Sequence, residues 1–144
     1  MTGVQTCALP ILAGAKVLYG GKALRGDGNF FLPTVIVDAP LDCPVSREEI
    51  FGPVAPIYKF KTLEEAATLA TDTPFGLGAA IWTRDVNKAM RLSELLLTGT
   101  VAINGLVKSE PGLPFGGVKV SGYWRELGEF GIREFLNIKT LNVF

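Results

Sequence analysis

Three short apolar segments separated by two amphipathic stretches constrain the fold of this chain more than any other feature. Val54 to Phe60, Leu77 to Thr83 and Thr100 to Asn104 are rich in β-branched and aliphatic residues, which is typical of strands. Between them lie two helical patterns, one opening at Thr62 and one covering Asp85 to Leu97. This β-α-β-α-β order predicts an α/β fold, with a mostly parallel sheet and crossover helices.

Local signals predict the ends and the buried faces of these elements. Thr62 and Glu65 form a capping box at the start of the first helix, and Gly99 is expected to cap the end of the second. Leu77 to Thr83 is nearly continuously apolar, which predicts burial on both faces. The predicted inward residues of the first helix are Leu63, Ala66, Ala67 and Ala70. Those of the second helix are Val86, Met90, Leu92, Leu96 and Leu97.

The segments on either side of this unit carry weaker patterns. Lys16 to Tyr19 and Phe30 to Val37, the latter interrupted at Pro33, predict a two-stranded β-ribbon. Arg125 to Phe135 predicts a short helix, with Leu127, Phe130 and Phe135 turned inward. Asn137 to Phe144 alternates like a strand, and a terminal strand leaves an edge that another chain can pair with.

Two motifs rich in glycine, proline and charge stand out against this background. Glu48 to Val54 places two carboxylates and an aromatic ring before a Gly-Pro turn. A carboxylate there can accept hydrogen bonds from a vicinal diol such as a ribose, and the ring can cover a flat heterocycle. The alternative is a solvated Glu pair and a core Phe. The second motif, Pro114 to Lys119, continues into Ser121 to Gly128.

Together these motifs resemble the C-terminal part of the aldehyde dehydrogenase superfamily, which carries E-E-x-F-G-P-V and then P-F-G-G-x-K-x-S-G-x-G-R-E. The resemblance runs from about Gly14 to Phe144. It implies that residues 12–135 are part of a catalytic domain and that residues 136–144 form an oligomerisation strand. Members oxidise aldehydes with NAD or NADP: a cysteine attacks the aldehyde, hydride leaves to the nicotinamide, and a glutamate-activated water hydrolyses the thioester.

The resemblance also assigns roles to particular residues. It implies that Glu49 holds the nicotinamide-ribose hydroxyls and that Phe51 packs beside the nicotinamide. Phe115 would line the aldehyde entrance, and Glu126 would support the proton path to the general base. Arg125 would hold the interface around Glu126. The alternatives are a loop-anchoring aromatic at Phe115 and an ordinary ion pair at the start of a helix for Arg125 and Glu126.

The stretch Val107 to Gly117 is most similar to that of succinate-semialdehyde dehydrogenases. In that group a serine at the position of Ser109 helps hold the distal carboxylate of the substrate. A hydroxyl donor there, with Lys108 nearby, suits a carboxylate. The alternative is a solvated loop Ser and Lys.

The chain departs from the superfamily pattern at Trp124, where the motif has glycine. A bulky residue is strained there if the backbone needs positive φ or close approach. Cys43 lacks the G-Q-x-C context of the superfamily nucleophile, so we interpret it as structural. The sequence contains no histidine, which excludes Ser-His-Asp catalysis within it and makes a zinc site unexpected. It also lacks a G-x-G-x-x-G motif, which argues against a self-contained dinucleotide-binding domain. The resemblance implies that the dinucleotide-binding domain, the nucleophilic cysteine and the general-base glutamate belong upstream of this part of the superfamily, so these 144 residues are expected to be inactive alone.

Composition narrows the remaining classes. Balanced charge indicates no nucleic-acid partner, and no apolar run approaches the ~18 residues of a membrane span. The chain gives no disulfide framework, so a reduced, cytoplasmic location is expected. A hydrophobic fraction of 48% against 19% charged fits a surface covered by more protein. A non-catalytic half-domain that binds a partner through its apolar faces remains the alternative to an enzyme fragment.

The first eleven residues resemble the translation of a common sequencing-adapter oligonucleotide rather than native protein. Residues 1–11, including Cys7, are therefore left out of the fold prediction, as an artefact. The alternative is a natural N-terminus.

Overall fold

The computed structural model of the protein describes residues 14–144, so the adapter-like segment and Cys7 lie outside the described residues. The chain divides after Phe60 into two units, each with its own sheet. The mixed α/β fold with parallel strand pairs is as predicted from the sequence.

The first unit is a three-stranded sheet in the order β1-β2-β3, formed by Lys16–Tyr19, Thr34–Val37 and Val54–Ile57. β1 and β2 pair antiparallel, which confirms the predicted ribbon. β2 begins only after Pro33, whose ring nitrogen cannot donate a hydrogen bond to a ladder. β3 pairs with β2 in parallel and ends at Ile57, three residues earlier than the pattern suggests.

Helix α1 (Pro44–Arg47) connects β2 to β3. The core of this unit centres on Ile36 in the middle strand, which is fully buried. Other buried core residues are Ala15, Ala39, Cys43 and Val45, and Val17, Ile50, Val54 and Tyr58 pack against them. The segment between α1 and β3 is thus attached to this core through Ile50.

The second unit contains α2 (Leu63–Thr71), β4 (Gly78–Ile81), α3 (Val86–Leu95) and β5 (Thr100–Ile103). β4 and β5 pair in parallel across the α3 connection. The predicted strands and helices therefore exist, but they do not share one sheet. β3 is hydrogen-bonded in the first sheet and β4 in the second, so α2 connects two sheets rather than two strands of one sheet.

Several burial predictions for the second unit are wrong. β4 alternates between exposed and half-buried positions instead of being buried on both faces. In α3, Ala89 is buried, whereas Val86 and Met90 are more than half exposed, as is Leu97 just beyond the helix. In α2, Ala67 is buried but Ala70 is exposed. The apolar patterns are typical of faces that pack against other residues. Within the described part of the chain, much of this apolar surface is exposed.

The end of α3 also differs from the prediction. The cap residue is Leu96, whose N–H donates to the Ser93 carbonyl, so Gly99 is not a helix cap. Gly99 instead lies where two backbone segments meet: a Cβ at this position would lie 1.7 Å from the Gly116 carbonyl oxygen. Glycine is required here for close approach.

The C-terminal part is less regular than expected. Helix α4 covers only Gly128–Arg133, so Arg125 and Glu126 precede it. Phe130 and Phe135 are 60% and 91% exposed, and the prediction that they face inward is wrong. Residues 137–144 form no strand and are exposed in this single chain.

Thr62 is confirmed as the N-cap of α2, but the reciprocal bond of the predicted capping box comes from the Lys61 N–H instead of the Thr62 N–H. The Thr62 hydroxyl accepts from the Glu65 N–H at 3.1 Å, and the Glu65 carboxylate accepts from the Lys61 N–H at 2.7 Å. We expect Thr62→Ala to lower the free energy of unfolding by about 1 kcal/mol. Thr62→Ser keeps the hydroxyl and should not. Urea unfolding followed by helical circular dichroism distinguishes them, and equal loss in both variants would contradict the cap assignment.

Candidate functional site

The segment carrying Glu49 and Phe51 is held at both ends and in its middle. At its start the Glu48 N–H donates to the Pro44 carbonyl at 2.8 Å, closing α1. At its end the Pro53 carbonyl accepts from the Thr34 N–H at 2.7 Å, which joins it to β2. In between, Ile50 packs on the core of the first unit. The backbone of this segment is therefore fixed by its neighbours.

Because Ile50 points to the core, the residues on either side of it face away. Glu49 is exposed, and the Phe51 ring is 84% exposed. An aromatic side chain gains most of its stabilisation from burial, so a ring this exposed contributes little to the fold. Phe51 is therefore not part of the core of the first unit. An exposed carboxylate and an exposed ring, two residues apart on a fixed backbone, can bind a sugar hydroxyl pair and an adjoining flat ring.

Cys43 does not offer an accessible thiol. Its side chain is buried in the core of the first unit, and its Sγ lies 3.4 Å from the Ser46 Oγ. This position agrees with the structural interpretation made from the sequence.

In the second unit, the glycine-rich motif (Pro114 to Gly128) is hydrogen-bonded to the backbone of Gly76. The Gly76 carbonyl accepts from the N–H groups of Val118, at 3.0 Å, and Gly99, at 3.1 Å. The Gly76 N–H donates to the Ser121 hydroxyl at 3.0 Å. The Gly117 backbone packs so closely that a Cβ there would lie 2.5 Å from the Ser121 Cβ. The serine and glycines of the motif therefore set backbone geometry.

Lys119 makes a second set of contacts in this motif, which the sequence pattern does not predict. Its ammonium donates to the carbonyls of Thr71, at 2.6 Å, and Thr73, at 3.0 Å. These carbonyls lie at and just beyond the C-terminus of α2, where a positive charge is favourable. The backbone of Lys119 has a φ of 56°, which is uncommon for a residue with a side chain. The contacts of its ammonium with these two carbonyls explain why a lysine occupies this position.

Phe115 and Glu126 lie opposite each other in a short antiparallel bridge. The N–H of each donates to the carbonyl of the other at 2.7 Å. Glu126 is thus extended and outside any helix, so the alternative of an ion pair at the start of a helix is wrong. The Arg125 guanidinium instead donates to the carbonyls of Gly117, at 2.8 Å, and Trp124, at 3.1 Å.

Phe115 and Glu126 line the same open cavity of about 450 Å³. Trp124, Arg125 and Phe135 form further parts of its wall. The cavity combines aromatic surface with two carboxylates, Glu126 and Glu134, and one guanidinium. It can accommodate a small organic molecule against an apolar wall with a proton acceptor beside it.

Trp124 does not strain the backbone at this cavity. The residues other than glycine with positive φ in the described part of the chain are Asp38, Asn104, Lys119 and Leu127. Trp124 is not one of them, and its side chain is 74% exposed. The substitution at a glycine position of the motif therefore adds an aromatic ring to the cavity rim without a conformational penalty.

Ser109 lies in the exposed loop that follows β5 and is not part of the cavity wall. Its neighbours Lys108 and Glu110 form an ion pair with 2.6 Å between Nζ and Oε1. The hydrogen bond that the Lys108 ammonium donates to Glu110 raises the pKa of Lys108 above its usual value. The Lys108 charge is therefore partly neutralised within the loop. Asn104, at the carboxyl end of β5, accepts a hydrogen bond from the Thr83 N–H at 2.8 Å.

The structure thus brings together Phe115 and Glu126, and separately Glu49 and Phe51 within the first unit. Within residues 14–144, three or more potential metal-ligating side chains do not cluster anywhere. No helix in the same range has the length and apolarity required to cross a membrane.

Comparison with known proteins defines the class. The aldehyde dehydrogenase family matches residues 6–141, and the chain belongs to this family. The probable NADP(+) succinate-semialdehyde dehydrogenase of Synechocystis is 49% identical over 131 residues, covering 91% of this chain and 29% of that protein. Succinate-semialdehyde dehydrogenase [NADP(+)] 1 of Mycobacterium tuberculosis is 50% identical over 129 residues, covering 90% of this chain and 28% of that protein.

A solved structure agrees with this assignment. Betaine aldehyde dehydrogenase from Staphylococcus aureus, crystallised in complex with NAD+, is similar with a TM-score of 0.84 and 36% identity. The match covers 92% of this chain and 28% of that one. The chain therefore spans less than a third of the length of the relatives it matches.

The close contact between the Gly99 and Gly116 backbones can be tested with a matched pair of substitutions. Gly99→Ala places a Cβ against the Gly116 carbonyl, and we expect it to lower the free energy of unfolding by about 1–3 kcal/mol or more. Gly112→Ala is the control, because nothing lies within 4 Å of its Cβ. Chemical denaturation of both variants decides. Equal stability of the two would contradict the close approach described here.

Proposed function

We propose that this chain is a segment of an NAD(P)-dependent aldehyde dehydrogenase that oxidises succinate semialdehyde to the carboxylate through a cysteine thioester. Family membership supports the reaction class. The observation that carries the proposal is the fixed segment that leaves Glu49 and Phe51 exposed side by side. The Phe51 ring, 84% exposed on a fixed backbone, is available for contact with a ligand.

In this proposal Glu49 and Phe51 hold the nicotinamide end of the cofactor. The Glu49 carboxylate accepts hydrogen bonds from the ribose hydroxyls, and the Phe51 ring packs beside the nicotinamide. The cofactor supplies the hydride acceptor when bound. The contribution of this chain is orientation: a fixed backbone presents both contacts without an ordering cost at binding.

Phe115 and Glu126 act at the aldehyde in this proposal. The Phe115 ring lines the entrance, and its backbone pairing with Glu126 fixes it against the cavity wall. The Glu126 carboxylate supports the proton path to the general base. Arg125 holds this arrangement through the Gly117 and Trp124 carbonyls rather than by pairing with Glu126.

The nucleophile and the general base are proposed to come from outside these residues. Cys43 is buried and contacts Ser46, so its thiol cannot reach an aldehyde in this conformation. We therefore expect the 144-residue chain alone to form no NADH or NADPH with an aldehyde. Turnover by the purified chain would refute this division of roles.

The substrate proposal is supported by the names of the relatives and by Ser109. The Ser109 hydroxyl would donate to the distal carboxylate of succinate semialdehyde. Lys108 would contribute less than the sequence suggests, because Glu110 already pairs with it and adds a negative charge beside the incoming carboxylate.

We also propose that residues 136–144 pair with a second copy of the chain. In the single chain they form no strand, and Ile138, Leu141 and Val143 are more than 80% exposed. Burial of these side chains against another chain would be favourable. This surface is also the observation that favours the alternative, a non-catalytic interaction module.

A chimera tests the proposal against that alternative. Residues 14–144 replace the matching segment of the Mycobacterium tuberculosis relative. We expect NADP-dependent oxidation of succinate semialdehyde, and Glu49→Gln to weaken NADP binding about tenfold or more, because a hydrogen bond to a charged group is worth about 1.5–3 kcal/mol.

The control is Glu48→Gln, a neighbouring exposed carboxylate with no proposed ligand. A folded chimera without activity, or equal effects of the two substitutions on the NADP dissociation constant, would overturn the proposal. In the first case the interaction module becomes the better account.

The substrate assignment generates a separate prediction in the same chimera. Glu110→Gln removes a negative charge next to Ser109, and we expect KM for succinate semialdehyde to fall by about fivefold, corresponding to about 1 kcal/mol. KM for butanal, which lacks the distal carboxylate, should not change. Ser109→Ala should raise KM for succinate semialdehyde only. Parallel changes for both aldehydes would contradict a carboxylate site in this loop.

A further inference from the structure

The Ser46 hydroxyl is the centre of a small hydrogen-bonded cluster in the first unit. It donates to the Pro40 carbonyl at 2.7 Å. The Tyr58 hydroxyl and the Cys43 thiol both lie within hydrogen-bonding distance of the Ser46 Oγ, the latter at 3.4 Å. None of these residues belongs to the motifs discussed above.

Donor and acceptor counting fixes the direction of all three contacts. A serine hydroxyl has one proton and two lone pairs. The carbonyl of Pro40 can only accept, so the Ser46 proton goes there. The Tyr58 O–H and the Cys43 S–H must then donate to the Ser46 oxygen. The capacity of the Ser46 hydroxyl is therefore fully used, which makes it a specific junction rather than an incidental contact.

This junction closes a ring around the cofactor-contacting segment. Ser46 lies in α1, just before the Glu48-to-Pro53 segment, and Tyr58 follows the end of β3, so the chain between them contains both the segment and β3. The side-chain hydrogen bond between Ser46 and Tyr58 closes this loop. Fixing both ends of a segment reduces the conformations open to it. Ile50, in its middle, packs on the same core as Tyr58.

We propose that Ser46, together with Tyr58, is a positioning residue that sets the orientation of Glu49 and Phe51 for the nicotinamide ribose. The inference rests on the proposed function of those two residues. Ser46 itself touches neither substrate nor cofactor. It acts by holding α1 and the end of β3 at a fixed separation, so that the exposed carboxylate and ring keep their mutual geometry.

A matched pair of substitutions isolates the hydroxyl. Ser46→Thr keeps it, whereas Ser46→Val has nearly the same shape without it. In the chimera, we expect Ser46→Val, which loses all three contacts of the hydroxyl, to raise the NADP dissociation constant about three- to tenfold. Ser46→Thr should stay within about twofold of the parent, and kcat at saturating NADP should change little in either. Tyr58→Phe removes only the Tyr58 contact and should raise the dissociation constant by no more than Ser46→Val does.

Hydrogen exchange on the 144-residue chain gives a readout that does not depend on the enzyme. We expect faster exchange at the Glu48 and Gly52 amides in Ser46→Val and in Tyr58→Phe. The Leu24 amide, bonded to the Phe30 carbonyl at 2.9 Å in the same unit, should be unaffected. A general loss of structure would instead accelerate all three.

The outcomes separate this inference from the proposed function. Equal NADP binding by Ser46→Thr and Ser46→Val, or exchange that rises uniformly, overturns the positioning role while Glu49→Gln still reports on the cofactor site. Failure of the parent chimera to bind NADP overturns the proposed function and the inference with it. If Ser46→Val does not fold, Tyr58→Phe provides the same comparison against the parent.

Discussion

Close contact between backbones at Gly76 is the constraint on which the second unit depends. The Gly76 carbonyl accepts from two N–H groups and the Gly76 N–H donates to a serine hydroxyl, which joins the segment before β4 to the start of β5 and to the glycine-rich motif. Such contacts require that Gly99 and Gly117 have no side chain. Two charged groups add to these contacts: Lys119 donates to carbonyls at the C-terminus of α2, and the Arg125 guanidinium donates to the Gly117 carbonyl. Phe115 and Glu126 are placed by these contacts and not by a hydrophobic core.

The first unit also holds a segment in place, but through a hydrophobic core and side-chain hydrogen bonds. There the segment that carries Glu49 and Phe51 is attached to a core through Ile50, and a hydrogen bond between the side chains of Ser46 and Tyr58 closes the loop around it. In both units the residues proposed to meet ligand are exposed or line a cavity, while their immediate neighbours are fixed. Rigid support beside exposed groups is what binding without an ordering cost requires.

The sequence predicted the elements better than it predicted their surroundings. The N-cap at Thr62 and the parallel pairing of β4 with β5 follow from local chemistry and periodicity, and both are present. The prediction that Met90 and Phe135 are buried is wrong. Apolar spacing indicates that a face packs against something, but not against which residues. Gly99 was assigned to a helix cap because a close backbone contact leaves no local sequence signal.

The candidate site was predictable only as motifs. Exposure of Phe51 and the bridge between Phe115 and Glu126 depend on contacts between distant parts of the chain, which spacing does not encode. The most direct test of the account is a crystal structure of the chimera with NADP. The account predicts the Glu49 carboxylate within about 2.6–3.2 Å of the nicotinamide-ribose hydroxyls, with the Phe51 ring beside the nicotinamide. A ribose held elsewhere, with Glu49 still in solvent, would contradict it.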